Sequence, residues 1–225
     1  MSIFAKYMID EDGGHFYQLT TVGYVALVAI MLFIFAIGFV LFRSRNTKKA
    51  DTKQLVFSSM AIAIAMVTSL IKLFHLPMGG SITLFSMFFI CLVGYLYGVG
   101  AGLTAAISYG FLQLITDPYI ISIPQMFMDY IFAFGALGLS GIFSNSKQGM
   151  IKGYILGVLG RYFFTFLSGL IFFGSYASEY NMSAPVYSLL YNGSYLGVEA
   201  ILTIILLFLP PVNSAFIRIK QMALE

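Results

Sequence analysis

Of the 225 residues, 60% are hydrophobic and 9% charged, where an ordinary soluble domain carries about 25% charged residues. So few charges cannot cover a water-facing surface. The length is used up by six or seven membrane crossings of about 20 residues each, with no segment left for a second, soluble domain. The formal charge of +3 borders apolar runs instead of forming a basic face, which argues against nucleic-acid binding.

An acidic leader, Asp10, Glu11 and Asp12, precedes the first apolar run, and basic residues follow it. A cleavable signal peptide has the reverse layout, so the run is read as a retained helix. Helices are predicted at roughly 19–42, 54–74, 82–98, 101–116, 125–143, 152–174 and 187–209. Sustained period-two alternation is lacking, which argues against an outer-membrane barrel. The expected fold is all-α, a polytopic transmembrane bundle with a six-helix core (54–225) and one extra amino-terminal helix with its linker (1–53). Arg43, Arg45, Lys48, Lys49 and Lys53 follow the first helix, Lys147 and Lys152 the fifth, and Arg218 and Lys220 the seventh. Positive-inside then places the amino terminus outside and the carboxyl terminus in the cytoplasm.

On the second helix Ala61 and Ala65 share one face, with Ser59 and Ala63 offset by two. Such spacing lets another backbone approach closely, either within the bundle or on a partner subunit. Lys72 and His75 end this helix, before a loop whose Gly79-Gly80 pair suits a mobile lid. Cys91, the sole cysteine, excludes an internal disulfide and reads as packing. Asp117-Pro118-Tyr119 opens the next loop on the same side, and Asp129-Tyr130 follows within the fifth helix. A carboxylate at a helix centre costs about 2.5–3.5 kcal/mol on insertion scales, so Asp129 needs a partner or a wet cavity. Arg161 and Glu199 raise the same question, and an ion pair between Arg161 and either acid is one answer.

Tyr187, Tyr191 and Asn192 enter the seventh helix. On a regular helix Tyr187 and Asn192 point about 140° apart, so both line one pocket only if it wraps the helix or caps its end. Single tyrosines at membrane interfaces commonly serve as anchors. Three tyrosines, an acid and an amide on one side instead suit a small ring-shaped solute that is cationic or bears an amide, held by aromatic faces and a carboxylate.

Three blocks in order, Leu76-Pro77-Met78-Gly79-Gly80-Ser81-Ile82-Thr83, Asp117-Pro118-Tyr119 to Asp129-Tyr130, and Tyr187-Ser188-Leu189-Leu190-Tyr191-Asn192-Gly193-Ser194-Tyr195, carry a resemblance. The chain resembles, over roughly 54–220, the thiamine-specific substrate-binding subunit of energy-coupling factor transporters. The resemblance implies capture of thiamine near the external face of a bacterial cell membrane, without a cofactor. It implies ligand contacts at Tyr119, Asp129, Tyr130, Tyr187 and Asn192, and a lid at Gly79 and Gly80. Family members often carry His and Trp where this chain has Thr165 and Phe173, so those two positions bear on ligand preference among thiamine, its phosphates and its pyrimidine fragment. The resemblance also implies docking of the Ala61/Ala65 face onto a transmembrane coupling subunit that works with two ATPases. The chain itself lacks a GxxxxGK[ST] phosphate loop, so such energy would come from those partners. An intramembrane enzyme needs a nucleophile–base pair or metal ligands, which two histidines and one cysteine scarcely supply. A stand-alone carrier is a third reading, for which no internal repeat is evident.

Overall fold

A computed structural model of the chain describes residues 3–9, 15–26, 29, 51–76 and 80–224. Most of the first predicted helix, its basic linker up to Ala50, and Gly79 lie outside the described residues. Ahead of that helix, strands β1 (Ala5–Ile9) and β2 (His15–Leu19) form an antiparallel pair, and helical backbone begins at Thr21, not at residue 19.

Six helices build the core: α1 (Thr52–Leu70), α2 (Ser86–Tyr97), α3 (Val99–Thr116), α4 (Ile123–Phe143), α5 (Gly149–Phe172) and α7 (Ala184–Phe208). All but α2 are long and apolar enough to cross a membrane. A short helix α6 (Tyr176–Glu179) lies between α5 and α7, and α8 (Pro210–Leu224) follows the last span. The chain is thus an all-α, multi-pass membrane protein. Two predicted boundaries move for one reason. Residues predicted as the end of one helix and the start of the next instead pair as strands β3 (Lys72–His75) and β4 (Ser81–Thr83). α1 therefore stops at Leu70 and α2 starts at Ser86.

α4 is the central helix: 61% of it is buried, against 17% to 28% of the other four long spans. Glycines let its neighbours close on it. A Cβ on Gly102 of α3 would stand 2.7 Å from the Gly138 carbonyl oxygen of α4, and one on Gly153 of α5 would strike the Ser140 carbonyl. This is the small-residue packing that bundles in lipid rely on. Gly98, at φ +86°, ends α2 and begins α3 without an intervening loop, a conformation cheap only for glycine.

α8 was not foreseen as a helix. Phe216 stacks edge-on against Phe88 at 5.1 Å, and the Lys220 ammonium donates to Tyr95 Oη at 3.3 Å and to the Ser144 carbonyl at 3.1 Å. Lys53, Lys147, Lys152, Arg218 and Lys220 all belong to the end of the bundle where α4 and α7 finish and α5 begins. The β3–β4 hairpin, the α3–α4 loop and the α5–α7 connection belong to the other end.

Candidate functional site

That hairpin-bearing end holds a cavity of about 440 Å³, within the range of about 300–1,000 Å³ common for small-molecule sites. Its walls bring together the five expected ligand contacts, Tyr119, Asp129, Tyr130, Tyr187 and Asn192, with Thr165 and Phe173, the two positions that bear on ligand preference. They come from the loop after α3, the first half of α4, the second half of α5 and the first half of α7.

Local backbone geometry sets the position of Asp129. Ser122 caps α4, accepting from the Gln125 N–H at 3.3 Å, with Pro124 in the first turn. After one α turn the helix widens into a π segment, Phe127–Phe132, that contains Asp129. Such segments shift the side chains that follow and recur at functional sites. Gln125 is 1% exposed, and its amide nitrogen donates both to Asp129 Oδ2 at 2.6 Å and to the Tyr119 carbonyl at 3.1 Å. Its amide oxygen accepts the Ile121 N–H at 3.1 Å. One glutamine thereby orients the carboxylate and folds the loop inward. Tyr130 completes the brace, accepting the Tyr119 N–H at 2.8 Å and donating to the Asp117 carbonyl at 3.0 Å.

Aromatic rings form two sides. On α7, Tyr187 and Tyr191 stack with centroids 5.8 Å apart and planes 9° from parallel, and Tyr195 meets Tyr191 edge-on at 5.5 Å. Their spacing of four residues puts all three on one helix face. On the other side Phe173 stacks on Tyr119 at 5.9 Å, and Tyr119 and Tyr176 share a hydroxyl hydrogen bond of 3.0 Å. That bond, then partial burial, holds the Tyr119 phenol above the ordinary tyrosine range. Asn192 is more structural than its expected role implies. Its amide nitrogen donates to the Thr165 and Ser188 carbonyls at 3.2 and 3.0 Å, and its oxygen accepts from Tyr195 at 2.9 Å. Gly169 makes this seam between α5 and α7 possible, since a Cβ there would strike Ser188 Oγ. Thr165 donates to the Tyr162 carbonyl at 3.1 Å.

Of the two answers open for Arg161, the ion pair with an acid does not form. Among the described residues the one ion pair is Lys72–Asp117, at 3.5 Å. The Arg161 guanidinium instead lies 4.1 Å from the Phe134 ring centroid, with Nε buried and unbonded, and lines the cavity. Glu199 is satisfied from the hairpin side. Ala61 and Ala65, the pair expected to dock onto a partner, face the inside of the bundle. Ala61 is 8% and Ala65 0% exposed, and both pack within the bundle's own hydrophobic clusters. They serve internal packing and leave no open surface.

Of the lid pair, Gly79 lies outside the described residues. Gly80, at φ +68°, sits where a Cβ would be 3.1 Å from the Tyr195 ring and 3.5 Å from the Tyr191 hydroxyl. Gln125, Arg161, Ser168, Tyr176, Tyr191 and Tyr195 also line the cavity without having been assigned to the site. Gln125 had a readable signal, because it stands four residues before Asp129 on a helix.

Residues 55–218 match the family described as Thiamine transporter protein (Thia_YuaJ). The chain belongs to that family. The thiamine transporter ThiT of Bacillus subtilis (strain 168) is 30% identical over 168 residues, covering 68% of this chain and 85% of that protein. The thiamine transporter ThiT of Lacticaseibacillus paracasei is 31% identical over 94 residues, or 36% of this chain and 46% of its own. The solved structure of ThiT from Listeria monocytogenes superposes with a TM-score of 0.57 at 28% identity, over 70% of this chain and 94% of that one. The thiamine transporter family match covers the six-helix core and the whole cavity and excludes the first helix. Its named members are thiamine transporters, which bears out the expected transport function without chemistry.

Proposed function

We propose that the chain captures thiamine in the cavity around Asp129 at the outer face of a bacterial cell membrane, as the substrate-binding component of an energy-coupling factor importer. The observation that carries this reading is an acid between two aromatic walls with no cation within 4 Å among the described residues. Asp129 can accept the amino group of the pyrimidine, while the cationic thiazolium lies against tyrosine faces; such cation–π contacts contribute about 0.5–2 kcal/mol each. Names of relatives support thiamine as the cargo, and the basic residues gathered at the far end support an outward-facing cavity. A coupling subunit with two ATPases would then supply energy. Because Ala61 and Ala65 are buried, docking would use the exposed face of α1, where Ser59 and Ala63 repeat the four-residue spacing.

Arg161 supports a second reading, in which the cavity prefers a phosphate ester of thiamine. Thermal unfolding of the purified protein in detergent tests both, because a ligand that binds the folded state raises its melting temperature. Thiamine should raise it most within a panel of thiamine phosphates, riboflavin, biotin and pantothenate. A larger shift with a phosphate ester would favour the second reading, and a shift with another vitamin alone would refute both.

A further inference from the structure

Glu199 lies on α7, seven residues and thus about 10 Å beyond Asn192 along the helix. It is 4% exposed and has no Lys, Arg or His nitrogen within 4 Å among the described residues. A buried acid without a cation is held by hydrogen bonds, and these come from the base of the β3–β4 hairpin. Thr83 Oγ1 donates to Glu199 Oε2 at 2.7 Å, the Met87 N–H donates to Oε1 at 3.3 Å, and Ser86 Oγ reaches Oε1 at 3.5 Å. Thr83 and Ser86 also share a bond of 2.8 Å. The local sequence creates this demand. α2 is capped by Phe85, in the left-handed region at φ 60°, with no side-chain acceptor for the first amides of the helix. Such amides need a partner from elsewhere; the Phe85 carbonyl accepts from Phe88 at 3.1 Å, and Glu199 accepts from Met87 across the bundle.

Ile82, 4% exposed, also anchors β4 by burial, at the same end as Glu199; the attachments at the other end are weaker or only steric. Lys72 and Asp117 form an exposed, water-screened pair of the kind that holds little. Gly80 merely rests on Tyr191 and Tyr195. A backbone bond of 3.3 Å from Leu84 to the Thr68 carbonyl secures the same β4 end as Glu199.

We infer that Glu199 is the positioning residue of the hairpin: it pins the β4–α2 junction to α7, the helix carrying Tyr187, Tyr191 and Tyr195, and so confines opening to the Lys72 edge and slows ligand release. The inference rests on the proposed reading of the cavity as a thiamine site. Its test combines two measurements on the full chain in detergent: amide hydrogen exchange of β3 and β4 without ligand, and the rate of thiamine dissociation. Thr83→Val and Glu199→Leu should each speed β4 exchange and thiamine release about tenfold, the scale of one lost charged hydrogen bond. Glu199→Gln, which still offers an acceptor to Met87, should fall between these and the wild type. The double variant should be no faster than the worse single one, since both substitutions break one network. Exchange in α3 should not change.

Unchanged β4 exchange in Thr83→Val, multiplied effects in the double variant, or faster exchange throughout the bundle would overturn the inference. So would a loosened hairpin with wild-type thiamine release. If the wild type itself binds no thiamine, the cavity reading fails, and the exchange data alone decide whether Glu199 anchors the hairpin.

Discussion

Asp129 could be singled out in the sequence because a carboxylate inside an apolar helix demands an explanation, whereas Gln125, which orients it, is a neutral residue whose one signal, its spacing of four from Asp129, is easily passed over. The π segment was equally hidden, since nothing in Phe127–Phe132 departs from an ordinary apolar helix. The Asp129 side chain therefore reaches the cavity by a local widening that residue spacing does not reveal. Gln125→Ala should free both the carboxylate and the Tyr119 loop and weaken thiamine binding about tenfold, as expected for losing a hydrogen bond to a charged group. Isothermal titration would show it, and an unchanged affinity would mean that the loop and the acid hold their places without Gln125. At Gly169 the consequence falls on stability. Gly169→Val should lower the unfolding temperature even without ligand, because the α5–α7 seam at Ser188 and Asn192 has no room for a side chain.

Among the elements, the long spans were legible because apolar length alone identifies a crossing. α3, α4 and α7 begin and end within three residues of their expected positions. The β3–β4 hairpin was not legible, because Lys72–His75 continues the apolar run of α1 with no breaker before Pro77. Tertiary pairing with Ser81–Thr83 overrides that continuity. α8 was missed for the opposite reason: its Pro210-Pro211 start and mixed polarity resemble a tail, and packing against α2 organises it. The hairpin carries a prediction of its own. Gly80→Val is strained both by its positive φ and by the Tyr195 ring, so it should accelerate thiamine release and lower the unfolding temperature of the ligand-free protein by about 2–4 °C, the scale of a ~1 kcal/mol strain. Equal release rates in the two proteins would separate Gly80 from closure of the cavity.

At the scale of the whole molecule, composition identified a membrane protein, and the described basic residues Lys53, Lys147, Lys152, Arg218 and Lys220 lie at one end of the bundle. The family match covers residues 55–218 and leaves the first predicted helix outside it. A chain beginning at residue 51 should therefore insert and bind thiamine within about threefold of full-length affinity, a change of roughly 0.65 kcal/mol; loss of binding would make the first helix part of the site. Thiamine capture, as proposed, turns on the acid between the two aromatic walls. Its most direct test is isothermal titration of thiamine into detergent-purified wild type and Asp129→Asn, which keeps the side-chain size and removes the charge. The wild type should bind at nanomolar order, about −12 kcal/mol, and Asp129→Asn should bind well over tenfold more weakly. Equal affinities would contradict the account.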